Sequence, residues 1–184
     1  APVEGIRAIL FDIYGTLFIP ASGDVGTALS EGENDRFTEA LAEAVPHLVG
    51  MRARARDLPA ELGESACEAY FNAISRSHAA SRRAGIDHPE VEIRRIWQEA
   101  CAELTSRGLL SRHPDPPEIE RLALAYELRS NPVWPMPEAA RTLGELATAG
   151  YRLGIVSNAQ FFTPLLFPAL MGAEPEELGF DPGA

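Results

Sequence analysis

The stretch AILFDIYGTLF, residues 8–18, joins a short apolar run to one acidic residue and a Gly-Thr pair. Residues 6–11, IRAILF, are mostly apolar at odd and even positions alike, which predicts a strand covered on both faces. Asp12 follows that strand directly, and Tyr14 is the next polar side chain. A carboxylate at the end of a buried strand is either a turn former or a group with a chemical role.

A second apolar strand, YRLGIVSN, covers residues 151–158 and ends in Ser157 and Asn158. It follows PEAARTLGELATAG, residues 137–150, where a proline starts a predicted helix and a glycine ends it. Such a helix–turn–strand unit is typical of parallel sheets, which bind ligands at the carboxyl ends of their strands. If the two strands are neighbours, Asp12 lies close to the serine and the asparagine.

A carboxylate, a hydroxyl and an amide at one sheet edge suit nucleophilic catalysis on an anionic substrate. Asp12 would attack the electrophile, and Ser157 and Asn158 would hold the negatively charged part of the substrate. A helix predicted from Asn158 to about Met171 would add backbone N–H groups that favour an anion. Thr16 can hydrogen-bond back to fix the turn after the nucleophile. The competing interpretation makes Asp12 a turn residue and the Ser-Asn pair a helix cap.

The sequence between these two strands predicts helices and no further strand. Residues 19–34 have loop composition, and 131–137 contain three prolines that exclude a regular helix. Apolar spacings of three and four predict helices from Asp35 to about Ala44, about Pro59 to Gly85, His88-Pro89 onward, and about Pro117 to Arg129. The predicted fold is therefore α/β, with a Rossmann-like parallel-sheet core in residues 1–19 and 131–184 and an all-helical domain, 20–130, inserted into it.

The composition of the chain argues against several classes of function. The chain has 184 residues and a formal net charge of -11, which argues against a nucleic-acid partner. Two separated cysteines and four scattered histidines do not form the pattern of a zinc cluster or a disulfide framework. No apolar stretch approaches the roughly 20 residues of a membrane helix. We expect a cytoplasmic protein with no membrane partner, and the sequence leaves open whether it is a monomer or a homodimer.

The pair AILFDIYGTLF and YRLGIVSNA resembles the haloacid dehalogenase-like (HAD) hydrolase superfamily of the helical-cap type. The resemblance implies that Asp12 is the nucleophile and forms a covalent aspartyl intermediate with a small anionic substrate. It implies that Ser157 binds the anionic oxygen of that substrate with Asn158 beside it, and that Thr16 supports the nucleophile loop. The helical insertion corresponds to the cap domain of the family, which sits over the active site.

Tyr14 occupies the position where phosphatases of the family carry a second Asp as general acid and base. A phosphoester leaves as an alkoxide that needs a proton, and a phenol with a reference pKa of about 10 is a poor donor near neutral pH. A halide leaves without a proton. Family members that cleave 2-haloacids resemble this chain in having Tyr there, as part of the substrate site, and in using no metal.

The sequence is therefore consistent with three functions. The favoured one is carbon–halogen hydrolysis without a cofactor. The first alternative is a Mg²⁺-dependent phosphatase of a small metabolite, with the metal at Asp12 and the backbone carbonyl of residue 14. The second alternative is a non-catalytic HAD scaffold. A dinucleotide-binding fold is disfavoured, because no GxGxxG follows the first strand.

Two further motifs of the family are missing. They are a Lys that neutralises the nucleophile and an acidic pair after a later strand, yet the sequence contains no lysine, and Asp181 lies too close to its end to belong to such a pair. We expect that the chain is part of a longer protein, to which the function belongs. The alternative is an incomplete, inactive core. Residues 1–184 alone are expected to show little or no turnover.

Overall fold

The structure is a computed structural model that describes residues 5–21, 32–49 and 60–181. The described residues form two compact units, one within Ala1–Val25 and Asn131–Ala184, the other within Gly26–Ser130. We call the first the α/β unit and the second the helical unit. The mixed α/β class predicted from the sequence is confirmed, because parallel strands and a set of packed helices are both present.

The elements that the sequence predicts occur in the predicted order. The strands in the described ranges are β1 (Ala8–Phe11), β2 (Phe18–Pro20), β3 (Val133–Pro135) and β4 (Arg152–Ile155). The α-helices there are α1 (Glu33–Ala44), α2 (Ala60–Arg83), α3 (Ile93–Ser106), α4 (Pro116–Ser130) and α5 (Ala139–Thr148). The sequence predicted all five helices. The starts of two differ from the prediction, because α1 begins before Asp35 and α3 begins after His88-Pro89. Within the described part of the chain, no helix is both long and apolar enough to cross a membrane.

The predicted parallel pairing is confirmed. Strands β1 and β4 pair in parallel, with Ala8 opposite Arg152 and Phe11 opposite Ile155. The ladder continues one residue further, because the Val156 N–H donates to the Phe11 carbonyl oxygen at 2.9 Å. The two strands therefore end side by side.

The prediction that β1 is covered on both faces is wrong for the described residues. Ile9 and Phe11 pack on the core of the α/β unit, whereas the next residue on the other face, Leu10, is 66% exposed. The core consists of Ile13, Leu17, Phe18, Leu143, Leu153, Leu166, Phe167, Leu178 and Phe180. Since the described part of the chain supplies these side chains to one face only, β1 alternates between partly buried and exposed positions.

A second sheet was not predicted. Strands β2 and β3 pair antiparallel, with Phe18 opposite Pro135 and Pro20 opposite Val133. Both segments contain proline, which lacks an N–H. Their sequences therefore predict loops. Proline is tolerated at the edge of a two-stranded ribbon, because an N–H that faces outward has no ladder partner to lose.

The predicted helix from Asn158 to about Met171 is confirmed only in its second half. Residues 156–160 are irregular, and the helical backbone begins as a 3₁₀ helix at Thr163–Leu165 and continues as a π-helix at Phe167–Met171. Pro164 lies in the first turn of the 3₁₀ helix, where its missing N–H has no helical partner to lose, so the helix begins here and not at Asn158. Asn158 therefore does not begin a helix, and no helix N-terminus is available there for an anion.

The helical unit is built around an aromatic cluster. The Phe37 ring stacks on Tyr126 with centroids 4.3 Å apart, and Tyr70 and Trp97 pack against both rings. Burial raises the pKa of the Tyr70 and Tyr126 hydroxyls, which keeps both phenols neutral. Offset and edge-to-face aromatic pairs contribute about 0.5–1.5 kcal/mol beyond their buried area, so this cluster joins α1 to the other three helices.

The two cysteines belong to the same interior. Cys101 is fully buried and Cys67 is 7% exposed, and both thiols are free. Burial raises the pKa of the Cys101 thiol to about 12, and burial with the nearby Glu33 carboxylate raises that of Cys67. Both cysteines are therefore core residues of the helical unit.

The Glu118 carboxylate, in the first turn of α4, accepts several hydrogen bonds. Glu118 accepts two hydrogen bonds from the Arg112 guanidinium, both at 2.8 Å, and one from the Asp115 N–H at 2.7 Å. The Asp115 carboxylate accepts in return from the Glu118 N–H at 2.9 Å, which completes a reciprocal helix cap. Arg112, followed by the Asp115 N–H and His47, lowers the pKa of the buried Glu118 carboxyl to about 2.

This shift predicts a specific acid sensitivity. Because the folded pKa lies below the ordinary value of 4.5, Glu118 stabilises the helical unit above about pH 4.5, and that stability is lost as the pH falls toward 2. Glu118→Gln should lower the free energy of unfolding by about 2 kcal/mol near neutral pH and by much less near pH 2. Urea unfolding at both pH values measures the difference, and the exposed Glu64→Gln is the control for charge alone. An equal loss at both pH values would contradict the assignment.

Candidate active site

The nucleophile candidate stands where β1 ends. Asp12 is exposed, and its Oδ1 accepts a hydrogen bond from the Ile13 N–H at 2.8 Å. Ile13 itself is buried in the core of the α/β unit. The carboxylate is thus held at the surface by a residue that is anchored below it, and the described residues give its Oδ2 no hydrogen bond.

The loop after Asp12 is a tight turn held by the backbone. Gly15 adopts φ +82°, a conformation that favours glycine, and its N–H donates to the Phe18 carbonyl at 2.7 Å. The N–H groups of Leu17 and Phe18 both donate to the Ile13 carbonyl, at 2.8 and 2.9 Å. The predicted side-chain bond of Thr16 is not found among the described residues, so main-chain contacts fix this turn.

Tyr14 is tied to a distant part of the chain. Its hydroxyl lies 3.0 Å from the Thr163 hydroxyl, and Thr163 is fully buried. Tyr14 is half-buried. The contact joins the loop after β1 to the segment after β4. Sequence reasoning missed Thr163, because it placed this residue inside a predicted helix and gave its side chain no role.

Ser157 and Asn158 follow β4, at the same sheet edge as Asp12. Ser157 is half-buried and Asn158 is exposed, and the Ala159 N–H donates to the Ser157 carbonyl at 3.0 Å in a tight turn. Because β1 and β4 end in register, the backbones of Asp12 and Ser157 lie at neighbouring strand ends. No hydrogen bond joins their side chains within the described ranges, so what the structure brings together is the two loops.

A shallow pocket lies beside the nucleophile loop, with a volume of about 150 Å³. Its lining consists of Phe11, Thr16, Leu17, Met136, Pro137, Ala139, Thr142 and Leu143. The walls are mainly apolar, and the hydroxyls of Thr16 and Thr142 are the polar side-chain groups.

Positive charge is scarce around this loop. The sequence contains no lysine, and Asp12 makes no ion pair with any residue in the described ranges. Arg141 in α5 is already paired with Glu138 and Glu145. The described residues therefore supply an exposed carboxylate and its backbone anchor, but no cation in contact with it.

The donor set beside Asp12 does not make a complete metal site. Mg²⁺ requires octahedral oxygen ligands, commonly one or two carboxylates with substrate phosphates and waters. In the part of the chain that the structure describes, no three His, Cys, Asp or Glu residues are placed to hold a metal ion. Asp12 alone would be the carboxylate ligand, so we derive no step through a metal.

A comparison with protein-family models identifies the family of this chain. A family profile for haloacid dehalogenase-like hydrolases matches residues 6–173. L-2-haloacid dehalogenase from Xanthobacter autotrophicus is 20% identical, with a TM-score of 0.35 and coverage of 91% of this chain and 53% of that one. A structure of L-2-haloacid dehalogenase from the same organism with chloropropionic acid covalently bound is 22% identical, with a TM-score of 0.33 and the same coverage.

A third structure, a dehalogenase, is 19% identical with a TM-score of 0.34, covering 98% of this chain and 67% of that one. No curated protein matched the sequence. The chain spans about half the length of the Xanthobacter structures. Because the family profile covers nearly all of the sequence, the chain belongs to the haloacid dehalogenase-like hydrolases.

Proposed function

We propose that the protein hydrolyses a small anionic substrate through a covalent ester on Asp12, and that the bond it cleaves is carbon–halogen, as in a 2-haloacid. The observation that carries this choice is Tyr14, the residue two positions after the nucleophile. Its hydroxyl is bonded to the buried Thr163, so a phenol is fixed in place of a second carboxylate. The dehalogenases with which the structure was compared are too distant to add to this argument.

The reaction has two steps. In the first, an oxygen of Asp12 attacks the carbon that bears the halogen, a C–O bond forms, the C–halogen bond breaks, and the halide leaves with the bonding electrons. In the second, water adds to the ester carbonyl, the 2-hydroxy acid leaves, the carboxylate is restored and one proton passes to solvent. The Ile13 N–H occupies Oδ1, so Oδ2 is the attacking atom in this proposal.

Three side chains have assigned roles beside the nucleophile. Ser157 and Asn158 bind the substrate carboxylate from the end of β4, where their loop lies next to that of Asp12. Thr16 lines the shallow pocket beside the same loop. The absence of a helix at Asn158 means that side chains, not a helix N-terminus, must supply the anion contacts at this position.

Phosphoester hydrolysis is the alternative. It needs a proton delivered to a departing alkoxide, and Tyr14 is less suited to that transfer than a carboxylic acid. It also needs a metal, for which the described residues offer one carboxylate. The favoured proposal uses neither Mg²⁺ nor another bound cofactor.

A substrate panel separates these functions. The purified protein is incubated with 2-chloropropionate, 2-bromopropionate and a set of small phosphomonoesters, each with EDTA and with Mg²⁺. We expect release of at least one halide per protein molecule, as the ester forms on Asp12, and this release should be unchanged by EDTA. It should be faster with the bromo acid, because bromide is the better leaving group. Phosphate release that requires Mg²⁺ would instead support a phosphatase, and neither product nor covalent adduct would support a scaffold.

A further inference from the structure

A histidine and a buried carboxylate form a close pair in the helical unit. The Nε2 atom of His47 lies 2.7 Å from Oε1 of Glu118, whose side chain is 5% exposed. The side chain of His47 is 54% exposed, so about half of it is open to solvent while one ring nitrogen lies on the carboxylate. A small molecule can therefore approach this imidazole from the surface.

The backbone beside His47 is fixed to the segment that carries Arg112. Leu48 is 2% exposed, and its carbonyl oxygen accepts a hydrogen bond from the Ser111 N–H at 2.9 Å. This contact joins the turn after α1 to the loop before α4. The imidazole and the guanidinium therefore start from neighbouring points of the backbone, and both reach the same carboxylate.

The proton on Nε2 follows from the charge of Glu118. Arg112 is the main cause that lowers the pKa of this carboxyl to about 2, so near neutral pH it is an anion that only accepts hydrogen bonds. The 2.7 Å contact is then favourable only if Nε2 of His47 carries the proton. Nη2 of Arg112 lies 3.4 Å from Nε2 and already donates to Glu118 at 2.8 Å, so the shorter contact decides. Neutral His47 thus carries its one proton on Nε2, and its Nδ1 carries a lone pair.

The Nδ1 lone pair is suited to attack an electrophile. The residues that the structure describes give Nδ1 no hydrogen bond. A carboxylate on the other ring N–H orients an imidazole and stabilises the positive charge that forms on it. The Arg112 charge opposes this stabilisation, but it lies farther from the ring than the carboxylate oxygen does. Arg112 and the Asp115 N–H also hold the carboxylate itself in place.

We propose that Nδ1 of His47 is an acylation site, which accepts an acyl group from a carbonyl compound with a good leaving group, such as a pyrocarbonate. Nδ1 attacks the carbonyl carbon, a C–N bond forms, the C–O bond to the leaving group breaks, and that group departs with the bonding electrons. The positive charge on the acylated ring lies against Glu118 until the Nε2 proton passes to solvent. Glu118 is a positioning residue, and no residue of the α/β unit takes part.

Labelling with diethyl pyrocarbonate tests the proposal on the wild-type protein. Mass spectrometry of peptides gives a rate for each histidine at pH 8, where an ordinary imidazole is neutral. Each rate is divided by that of the same residue in urea-unfolded protein, which removes the effect of the local sequence. His88 is the matched reference, because it is exposed and the described residues give its ring no hydrogen bond. We expect the normalised rate of His47 to exceed that of His88 about tenfold, and a ratio near one or below would overturn the proposal.

Glu118→Gln tests the positioning role, because it keeps an acceptor oxygen and removes the charge. The normalised rate of His47 should fall to near that of His88, whose own rate should not change, and circular dichroism establishes that the variant is folded. An unchanged His47 rate in the folded variant would overturn the role of Glu118. Nitrogen-15 NMR of the wild-type ring needs no substitution in the cluster, and His47→Gln assigns its resonances. We expect a protonated Nε2 and an unprotonated Nδ1 at pH 8, and the opposite tautomer would overturn the proposal.

Discussion

Asp12→Asn should abolish formation of the covalent ester and lower any haloacid turnover by about a thousandfold or more. The amide is uncharged and a much weaker nucleophile than the carboxylate. It is also nearly the same size, and its oxygen can still accept the 2.8 Å bond from the Ile13 N–H, so the loop should keep its shape. The substitution therefore removes the reacting charge and little else.

Intact-protein mass spectrometry tests this without requiring steady turnover. After incubation with 2-bromopropionate, the wild type should gain the mass of the acid less its bromide, on the peptide that contains residues 8–18. This readout is useful because it detects the first step alone, which needs only the nucleophile and the substrate. Asp12→Asn should show no gain, and an equal adduct in that variant would refute the role of Asp12.

A matched control separates loss of the nucleophile from loss of charge. Glu176→Gln removes one exposed carboxylate from the same α/β unit, and it should form the ester as the wild type does. Stability gives a second control. Asp12 is exposed and makes one described hydrogen bond, which Asn can retain, so Asp12→Asn should change the free energy of unfolding by no more than about 0.5 kcal/mol. A large loss of stability would mean that Asp12 is chiefly structural.

The features that sequence predicted well are those set by nearby residues. Apolar runs identified β1 and β4, and spacings of three and four identified the helices, because each pattern is complete within one element. The parallel pairing followed from the helix before β4, since parallel strands need a crossover connection. The position of Asp12 at a strand end required only that β1 be recognised.

The features that sequence missed depend on contacts between distant residues. The pairing of β2 with β3 joins two proline-containing segments that are loops by composition. The helix expected from Asn158 begins only at Thr163, because Pro164 favours a position in the first turn, and apolar spacing carries no signal for that start. Thr163 reaches Tyr14 only in the structure that results. The Asp115–Glu118 cap, by contrast, has a local signal, an acidic residue three positions before a glutamate, that could have been recognised.

Gly63→Ala should strongly destabilise the helical unit. Gly63 lies in α2, where a Cβ would overlap the Thr38 hydroxyl oxygen and the Asn34 carbonyl oxygen, both in α1. The hydroxyl belongs to a side chain that can rotate. The carbonyl is backbone, so the methyl group fits only if α1 and α2 move apart. We expect a loss of about 2–4 kcal/mol in the free energy of unfolding.

Urea unfolding followed by circular dichroism measures this loss, and Gly144→Ala provides the matched control. Gly144 lies in α5, where a Cβ meets no atom within 4 Å, so alanine should stabilise that helix by up to about 1 kcal/mol. The double variant Gly63→Ala, Thr38→Ala removes the side-chain clash and keeps the backbone clash, and it should recover only part of the loss. Full recovery would place the obstruction in the Thr38 side chain, and a wild-type midpoint for Gly63→Ala would refute the close approach of the two helices. Partial recovery is expected because the Asn34 carbonyl, held in the first turn of α1, cannot rotate away as a side chain does.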